Sequence, residues 1–313
     1  MTVDPDGTVV GVDLGGTKIT AGLVLSGGRV VDEVTVATPA RQGADAVVSA
    51  VVAVVQQVID MNDRHPIGIG IGSAGVIGDR GEVLAATDHL LGWAGAPLAA
   101  SVEKATGLRT LAINDVHAHA LGEARHGAGR GMGVVLVVAA GTGLGGAVVV
   151  DGKTMIGSRH LAGHLGHVPA AEAGDLECAC GGRGHLETVS SGPGLVTVYR
   201  RAGGIADDAR QVVAAAESGD ETARAAVHVS GRALGRAIGG WINMIDPDVV
   251  VVSGGLAQAG TIWWDALDRG ARGELIPLAS GCPILKSQLG SRASILGAAS
   301  LFADTHRYQE QHS

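Results

Sequence analysis

Val9-Val-Gly-Val-Asp-Leu-Gly-Gly-Thr-Lys18 is the stretch that decides the fold of this 313-residue chain. Its Val-rich first half predicts a buried strand, and the glycines after it predict a tight turn. The pattern returns at Val134-Val-Leu-Val-Val-Ala-Ala-Gly-Thr142, 125 positions later. Because Val-rich segments flank both turns, we interpret the two copies as an internal duplication. Only the first copy carries an acid in its strand, at Asp13.

The rest of the chain alternates between strand-like and helix-like patterns. This alternation favours an α/β fold with mostly buried sheets. Residues 160–192 are rich in glycine and irregular, and His and Cys are concentrated there. We expect the last helix to pack back on the first half, because chain ends often lie close together. The predicted strands are Val9–Leu14, Ile19–Leu25, Arg29–Ala37, Ile67–Ile71, Leu108–Ile113, Val134–Ala139, Leu144–Val150 and Val249–Val252, and the predicted helices are Ala44–Met61, Pro97–Thr106, Val116–Arg125, Gly194–Arg201, Ala206–Glu217, Glu221–Ile245 and Ser294–His306.

Composition excludes several classes of protein. The chain is 46% hydrophobic and 17% charged, which is ample for a packed core and rules out wholesale disorder. Its formal net charge is −8, which argues against sequence-independent nucleic-acid binding. Four Trp, two Tyr and one Phe are too few for base-stacking platforms.

The sequence also bears on where the protein works. Residues 1–7 contain no apolar or basic region of a signal peptide. The longest uncharged stretch, 131–150, is interrupted by six glycines and fits two strands better than a membrane span. Three cysteines are too few for a disulfide framework and favour a reducing compartment. We therefore expect a cytoplasmic protein with no membrane partner.

Each glycine turn has two interpretations. Gly15-Gly-Thr-Lys18 is not a P-loop, and Gly141-Thr-Gly-Leu-Gly-Gly146 is not a dinucleotide fingerprint, because a strand follows each where those motifs need a helix. Each turn could be only a hairpin turn, with Asp13 as a capping acid. Alternatively, the backbone N–H groups hold phosphate oxygens, and Asp13 holds a hydrated Mg²⁺.

Four metal-ligating side chains lie within 19 positions: His167, Cys178, Cys180 and His185. A Cys₂His₂ set suits a tetrahedral structural zinc with no open position for water. Zinc would order a loop that has too few apolar residues to order itself. The alternative is a pair of buried free cysteines beside solvated histidines, although a polar, glycine-rich segment makes a poor core.

Asp115 follows a predicted strand and begins a predicted helix. It would serve as the N-cap of that helix, a position that Asp fills well. A carboxylate at the carboxyl end of a buried strand would also project into a ligand cleft, where it could accept a proton from a substrate hydroxyl. The zinc loop would then turn His164 and Glu187 toward the same cleft.

Six motifs in order resemble the ROK family of sugar kinases, in the superfamily of actin-like ATPases. The resemblance spans about Val9 to Ala303 and implies an α/β, two-domain actin-like (ribonuclease H-like) sugar kinase fold with a cleft between the domains. We expect an N-terminal domain of residues 1–115 plus about 294–313, and a C-terminal domain of residues 116–293 that carries the zinc loop. The motifs are Asp13-Leu-Gly-Gly-Thr-Lys18, Asn114-Asp115, Gly141-Thr-Gly143-Leu-Gly-Gly146, Ala162-Gly-His-Leu-Gly-His167, Cys178-Ala-Cys-Gly-Gly-Arg-Gly-His-Leu-Glu187 and Ser253-Gly-Gly255.

The resemblance assigns roles to the residues of these motifs. It implies that Asp115 takes the proton from the sugar 6-hydroxyl and that His167 bridges the zinc and sugar sites. The residues implied to bind the sugar are Asn114, Asp115, His164, His167, Glu187 and Gly75. Those implied to bind ATP and Mg²⁺ are Asp13, Gly15, Gly16, Thr17, Lys18, Gly141, Thr142, Gly143, Gly254 and Gly255, of which the last two lie against the adenosine. The implied zinc ligands are His167, Cys178, Cys180 and His185.

Two departures from the family pattern bear on metal and substrate. His185 stands where the family zinc motif usually has a third Cys, and imidazole is also a good zinc ligand. His164 stands where most members have a sugar-binding Glu, and this form is similar to bacterial N-acetylmannosamine kinases. Imidazole donates as well as accepts hydrogen bonds, which changes the hydroxyl or acyl group that it can hold.

We therefore expect ATP-dependent phosphorylation of the 6-hydroxyl of a hexose or N-acylhexosamine. N-acetylmannosamine kinase is the leading candidate, and glucokinase of the same family is the alternative. Another class of function is a sugar-responsive transcriptional regulator, but Asp13 leaves no room before it for a helix-turn-helix. A catalytically inactive sugar-binding protein is the third candidate, against which Asp13, Asp115 and both glycine turns argue. The resemblance implies a homodimer or homotetramer.

Overall fold

The computed structural model describes residues 7–87 and 89–303. Its sheets and helices confirm the predicted α/β fold class. The chain divides into two compact units. The first unit comprises Met1–Gly131, Gly152–Ala162 and Leu289–Ser313, and the second unit comprises Met132–Asp151 and Gly163–Gln288.

The described residues form two five-stranded sheets and one two-stranded sheet. Within the described residues, no helix is both long enough and apolar enough to cross a membrane. The strands are β1 (Val9–Leu14), β2 (Lys18–Leu25), β3 (Arg29–Ala37), β4 (Gly68–Ser73), β5 (Val76–Ile77), β6 (Val83–Ala85), β7 (Thr110–Asn114), β8 (Val134–Ala140), β9 (Leu144–Val150), β10 (Lys153–Thr154), β11 (Val249–Ser253) and β12 (Ile284–Lys286), and the α-helices are α1 (Ala44–Asp60), α2 (Leu98–Thr106), α3 (Asp115–His126), α4 (Glu187–Ser190), α5 (Gly192–Arg201), α6 (Ala209–Glu217), α7 (Glu221–Ile245), α8 (Gly260–Arg272) and α9 (Arg292–Ala299).

The two sheets share one topology. Their strand orders are β3-β2-β1-β4-β7 and β10-β9-β8-β11-β12. In each sheet a hairpin contributes two antiparallel strands, and two further strands run parallel to the first strand of that hairpin. This match agrees with the internal duplication. The hairpins close at Leu14 with Ile19 and at Ala140 with Leu144, so the second turn is one residue shorter.

Helix α1 covers one face of the first sheet with a stripe of valines. The valines follow the spacing of a single helix face, and all of them are fully buried. They pack with the apolar residues of β1 and β4 in one core cluster. Burying each valine contributes roughly 1.5–3 kcal/mol to stability. The valines of this stripe are Val47, Val51, Val54, Val55 and Val58.

The last helix, α9, packs on the sheet of the first unit, as predicted. Glycines in the strands allow this approach: a Cβ at Gly11 or Gly70 would collide with the backbone carbonyl of Ile295 or Ala298. The bounds differ from the predicted helix Ser294–His306, since α9 begins two residues earlier and ends at residue 299. Residues 304–306 of that prediction lie outside the described part of the chain.

Helix α3 belongs to the first unit because it packs closely on α9. A Cβ at Gly122 or Gly297 would collide with the backbone of the opposite helix. The compact units therefore keep residues 116–131 and 152–162 with the first unit, whereas the predicted domains divide the chain after residue 115. The domain assignment itself stays a prediction.

Helix α7 pairs with α8 through a face of glycines. Gly231, Gly235 and Gly239 recur at every fourth residue, and a Cβ at any of them would collide with a backbone carbonyl of α8. The sequence pattern predicts α7 with the observed bounds but does not predict α8, which begins with Gly260 and is interrupted by Gly270. It also did not predict the short elements β5, β6, β10, β12 and α4.

We predict opposite outcomes for two alanine substitutions in α7. Gly235→Ala should lower the free energy of unfolding by roughly 1–3 kcal/mol, because the methyl group forces two backbones apart. Gly240→Ala is the matched control, since a Cβ there meets nothing within 4 Å. It should leave stability unchanged or raise it by up to about 1 kcal/mol. Urea denaturation measures both, and equal destabilisation would contradict the close helix packing.

Candidate active site and metal centre

Two carboxylates of the first unit lie at the carboxyl ends of its strands. Asp13 is near the end of β1, and Asp115 directly follows β7. Strand β4 lies between these strands and runs parallel to both, so the two ends share one edge of the sheet. The charge of Asp115 acts directly on Asp13. The fold thus brings together two acids that are far apart in the sequence.

Asn114, rather than Asp115, caps helix α3. Its side-chain oxygen accepts hydrogen bonds from the backbone N–H groups of Val116 at 3.0 Å and His117 at 3.1 Å. Asp115 is the first residue of the helix. The interpretation of Asp115 as the N-cap is therefore wrong, because the preceding residue already occupies that position.

The amide nitrogen of Asn114 fixes the position of Asp115. It donates hydrogen bonds to Asp115 Oδ1 and to the carbonyl of Gly75, both at 2.9 Å. Gly75 has a φ of +103°, and a Cβ there would lie 2.7 Å from the carbonyl oxygen of Ala85, so only glycine fits. Because both amide hydrogens of Asn114 have partners within the protein, the sugar contacts of Asn114 and Gly75 stay predictions.

Burial raises the pKa of both carboxyls. The pKa of Asp13 rises to about 6, first through burial and second through the charge of Asp115; Lys18 and the Ser294 hydroxyl act in the opposite direction. Burial also raises the pKa of Asp115, although backbone N–H groups and the Asn114 amide stabilise its charged form. Two adjoining carboxyls with raised pKa values favour binding of a proton or a cation.

The first glycine turn is held by a residue that the sequence analysis did not identify. Thr38, which follows β3, donates its backbone N–H to the Thr17 carbonyl at 3.0 Å and its hydroxyl to the Gly15 carbonyl at 2.8 Å. Within the turn, the Gly15 N–H donates to the Lys18 carbonyl at 3.0 Å. Thr17 and Lys18 are exposed. The turn is therefore a fixed hairpin end with a cationic side chain at its surface.

The second glycine turn, residues 141–143, is held from outside in the second unit. The Gly141 N–H donates to the Gly143 carbonyl at 2.9 Å, and the Gly141 carbonyl accepts from the Gly192 N–H at 2.7 Å. Nearby, Gly254 has a φ of +88°, and a Cβ there would collide with the Ala140 carbonyl. Because Gly254 has no Cβ, the ends of β8 and β11 can approach closely.

A cavity of about 1000 Å³ adjoins the second turn within the second unit. Three of the predicted nucleotide residues line it, namely Gly141, Thr142 and Gly255. A Cβ at Gly141 or Gly255 would meet nothing within 4 Å, so these glycines keep the wall open. A further wall of the cavity, from α5 and α6, was not predicted as part of a site; the Gly192-Pro193 pair at the start of α5 is its local signal in the sequence. That wall includes Gly192, Pro193, Val196, Thr197 and Val213.

The four predicted zinc ligands converge in the second unit. One potential ligand atom from each lies within 4.8 Å of all the others. Cys178 Sγ lies 3.6 Å from His167 Nδ1, and Cys180 Sγ lies 3.3 Å from His185 Nδ1. A tight backbone turn between the cysteines and His185 produces this convergence, with the Cys178 N–H donating to the Gly182 carbonyl at 2.8 Å.

The donor set of this cluster fits zinc. Both cysteines are free thiols, and two sulfurs with two imidazole nitrogens form a closed tetrahedral set. Burial and the neighbouring Cys180 thiol raise the pKa of Cys178. A divalent cation would relieve this effect by binding both sulfurs as thiolates. Of the two alternatives left by the sequence, the geometry favours the metal site over a pair of buried thiols.

Two further predicted residues lie beside this cluster. His164 is exposed, and its ring centroid lies 6.0 Å from that of His167. Glu187 begins α4, and its Oε2 accepts the backbone N–H of Leu144 at 2.7 Å. Their predicted contacts with a sugar stay predictions, as do the individual roles of the other site residues.

Comparisons with known proteins agree on one family. Residues 9–305 match the model of the ROK family. A glucokinase of Thermotoga maritima is 33% identical over 95% of this chain and 97% of its own length. An N-acetylmannosamine kinase of Escherichia coli is 36% identical over 80% of this chain and 84% of its own length. The crystal structure of a ROK family glucokinase from Streptomyces griseus in complex with glucose and AMPPNP has a TM-score of 0.79 at 32% identity, covering 94% of this chain and 99% of that chain.

We predict that ionised Asp13 destabilises the folded protein. Its pKa of about 6 lies above the ordinary value of 3.8, so the folded state binds more protons than the unfolded state between these values. Stability must then fall as the pH rises through this window. Asp13→Asn should therefore be more stable than the parent chain at pH 7.5, by up to ~3 kcal/mol, and the difference should shrink as the pH falls toward 4.

Thermal unfolding at several pH values, in the absence of divalent cations, measures this difference. Asp63→Asn, at an exposed aspartate of the same unit, is the control and should follow the parent at every pH. An Asp13→Asn protein that also follows the parent throughout would contradict the buried, charge-coupled site.

Proposed function

Since the chain belongs to the ROK family and is a sugar kinase, we propose that it transfers the terminal phosphoryl group of ATP to the 6-hydroxyl of a hexose or an N-acylhexosamine. The observation that supports this most is the position of Asp115. It lies at the head of α3 beside Asp13, and Asn114 caps the helix in its place. Its Oδ1 accepts hydrogen bonds from the Asn114 amide and from the Val116 N–H, both at 2.9 Å. A carboxylate held in this way is suited to accept a proton.

Asp115 is the proposed general base. The sugar O6 attacks the terminal phosphorus, a new O6–P bond forms, the bond from phosphorus to the ADP oxygen breaks, and the O6 proton moves to Asp115. A positioned base contributes roughly 10²–10⁴-fold to the rate. Because burial raises the pKa of Asp115, its carboxylate is a stronger proton acceptor than an exposed aspartate.

The second unit provides the proposed nucleotide site. Its cavity is large enough for a drug-sized or cofactor-sized ligand, and Gly141 and Thr142 of the glycine turn line it. Tight turns of small residues are suited to binding phosphate oxygens. In the first unit, Asp13 would hold Mg²⁺, which supplies positive charge to the phosphates when bound. Burial raises the pKa of Asp13, so a cation beside its carboxylate would be favourable. The other residues proposed for ATP are Gly15, Gly16, Thr17, Lys18, Gly141, Thr142, Gly143, Gly254 and Gly255.

A structural zinc is proposed at His167, Cys178, Cys180 and His185. When bound, it would order the surrounding loop rather than take part in phosphoryl transfer. His167 also lies beside His164 through their rings, so the metal would fix the orientation of a proposed sugar-binding segment.

We propose N-acetylmannosamine as the leading substrate and glucose as the alternative. The relatives named for these two sugars are 36% and 33% identical to this chain, so similarity alone does not choose between them. His164 favours the acylated sugar, because an imidazole N–H can donate to an acyl carbonyl and a carboxylate cannot. The oligomeric state, a homodimer or homotetramer, stays a prediction that light scattering on the purified protein can test. The cytoplasmic location also stays a prediction.

Replacing Asp115 tests the proposed base. Asp115→Ala should lower kcat by roughly 10²–10⁴-fold, because the O6 proton loses its acceptor. The unfolding temperature and zinc content should stay near those of the parent, because Asn114 still caps α3. Asp63→Ala, which removes an exposed aspartate of the same unit, should leave kcat unchanged. If Asp115→Ala also kept the parent kcat, Asp115 would not be the base.

Kinetics with four sugars side by side test the substrate. At saturating ATP, kcat/KM should be highest for N-acetylmannosamine among N-acetylmannosamine, N-acetylglucosamine, mannose and glucose. His164→Glu should shift the preference toward glucose, because a carboxylate accepts hydrogen bonds from hydroxyls but donates none. His65→Glu, at an exposed histidine of the first unit, is the control. A parent chain that prefers glucose would overturn the substrate assignment while leaving the sugar kinase in place.

A further inference from the structure

We propose that His117 is a positioning residue for the sugar: its imidazole holds the backbone at Ala162 and thereby fixes the start of the segment 162–167. This inference rests on the proposed function, because the segment matters for activity only if a sugar binds at its histidines. It goes beyond the roles that the family resemblance implies, which give no role to His117 or Ala162.

One nitrogen of the His117 ring makes the contact. Nε2 lies 2.8 Å from the backbone carbonyl oxygen of Ala162. Because a carbonyl oxygen only accepts hydrogen bonds, Nε2 carries the hydrogen and is the donor. His117 is only 4% exposed, so the surrounding protein keeps the ring in place. Both residues belong to the first unit.

Helix α3 fixes the position of this ring. His117 is the third residue of the helix, two positions after Asp115. Its backbone N–H donates to the side-chain oxygen of the capping Asn114 at 3.1 Å. The helix packs closely on α9, since a Cβ at Gly122 would collide with the backbone there. The ring is therefore carried by the same rigid element that carries the proposed base.

The loop before Ala162 is closed on itself and is held to the rest of the first unit by this contact. The Ala162 N–H donates to the Ile156 carbonyl at 3.1 Å, which closes the loop. A second contact joins His160 Nε2 to Asp79 Oδ1 at 3.8 Å, but the Asp79 side chain is 89% exposed. Exposed pairs of this kind contribute little to stability. The buried hydrogen bond from His117 is therefore the stronger of the two anchors.

The chain after Ala162 leads directly into the proposed sugar-binding residues. Gly163 has a φ of +93°. Its carbonyl accepts hydrogen bonds from the N–H groups of Gly146 at 2.8 Å and Leu165 at 2.7 Å. Two consecutive carbonyls are thus fixed just before His164. Loss of the His117 donor would release the first of them and leave the second in place.

Three possible roles of His117 predict different results. If the ring positions the segment 162–167, its loss weakens sugar binding and leaves nucleotide binding unchanged, because the proposed nucleotide cavity lies in the second unit. If the ring only stabilises the fold, its loss lowers the unfolding temperature and leaves sugar affinity unchanged. If it acts through Asp115, its loss lowers kcat instead.

The experiment measures kcat and the KM for N-acetylmannosamine and for glucose at saturating ATP, and the Kd for ADP by isothermal titration calorimetry. His117→Leu removes the donor and keeps a side chain of similar size. It should raise KM for the sugar that the parent chain phosphorylates by roughly 3–10-fold, as expected for loss of one hydrogen bond. The change in kcat should be smaller than the change in KM, and the Kd for ADP should stay that of the parent.

Two control variants make the comparison specific. His119→Leu makes the same change two residues later on α3. Among the residues that the structure describes, the buried Nε2 of His119 has no hydrogen-bond partner, so this variant should keep the parent KM. Asp79→Asn removes the exposed charge beside His160 and should also keep it. Unfolding temperature and zinc content are measured for every variant.

A pair of amide variants keeps the inference testable if His117→Leu folds poorly. His117→Gln places an amide N–H near the position of Nε2 and should keep KM for the sugar close to that of the parent. His117→Asn carries the same amide on a side chain that is one methylene shorter, too short to reach the Ala162 carbonyl. It should raise KM as His117→Leu does, so the contrast between the two amides depends on reach alone.

An unchanged KM for sugar in both His117→Leu and His117→Asn would overturn this inference and leave the sugar kinase standing. An equal rise of KM in His117→Gln would overturn it as well, because that variant retains the donor. A parent chain that phosphorylates no sugar would overturn both the inference and the proposed function.

Discussion

The hydrogen bonds of the Asn114 side chain are the constraint on which the rest of the site depends. Its oxygen accepts hydrogen bonds from two backbone N–H groups at the start of α3, which have no backbone acceptor within the helix. Its nitrogen joins the Asp115 carboxylate to the carbonyl of Gly75. A cap of this kind typically contributes ~1 kcal/mol to stability. Here the same side chain also fixes the position of the adjacent Asp115 carboxylate.

The two units repeat one topology but carry different chemistry. In the first unit, the hairpin end adjoins the carboxyls of Asp13 and Asp115 and the cation of Lys18. In the second unit, the equivalent hairpin has no acid in its strand and adjoins an open cavity instead. A shorter turn there is held by Glu187 and Gly192, both from the segment that follows the Cys/His cluster. The two hairpins therefore share one strand topology but differ in the polar residues around their turns.

The sequence predicts this structure well where local pattern decides it. The bounds of β1, β3, β9 and α7 match the prediction, and the cysteines and histidines of the predicted metal site lie close together. The prediction fails where residues distant in sequence determine the structure. Helix α8 packs on glycines of α7, and Thr38 holds a turn that is far from it in sequence. Helices α5 and α6 together form a wall of the cavity. The N-cap was misassigned because Asn and Asp both cap well, and only the backbone conformation separates them. The roles of individual residues came from the family resemblance, which no local pattern replaces.

The most direct test of the account is the distance from the Asp115 carboxylate to the sugar O6 in a crystal structure with the sugar and AMPPNP both bound. If Asp115 is the base, its carboxylate lies in hydrogen-bond contact with O6, at about 2.6–3.2 Å. An O6 that lies beyond the reach of Asp115 in that complex, or that contacts another base instead, would contradict it.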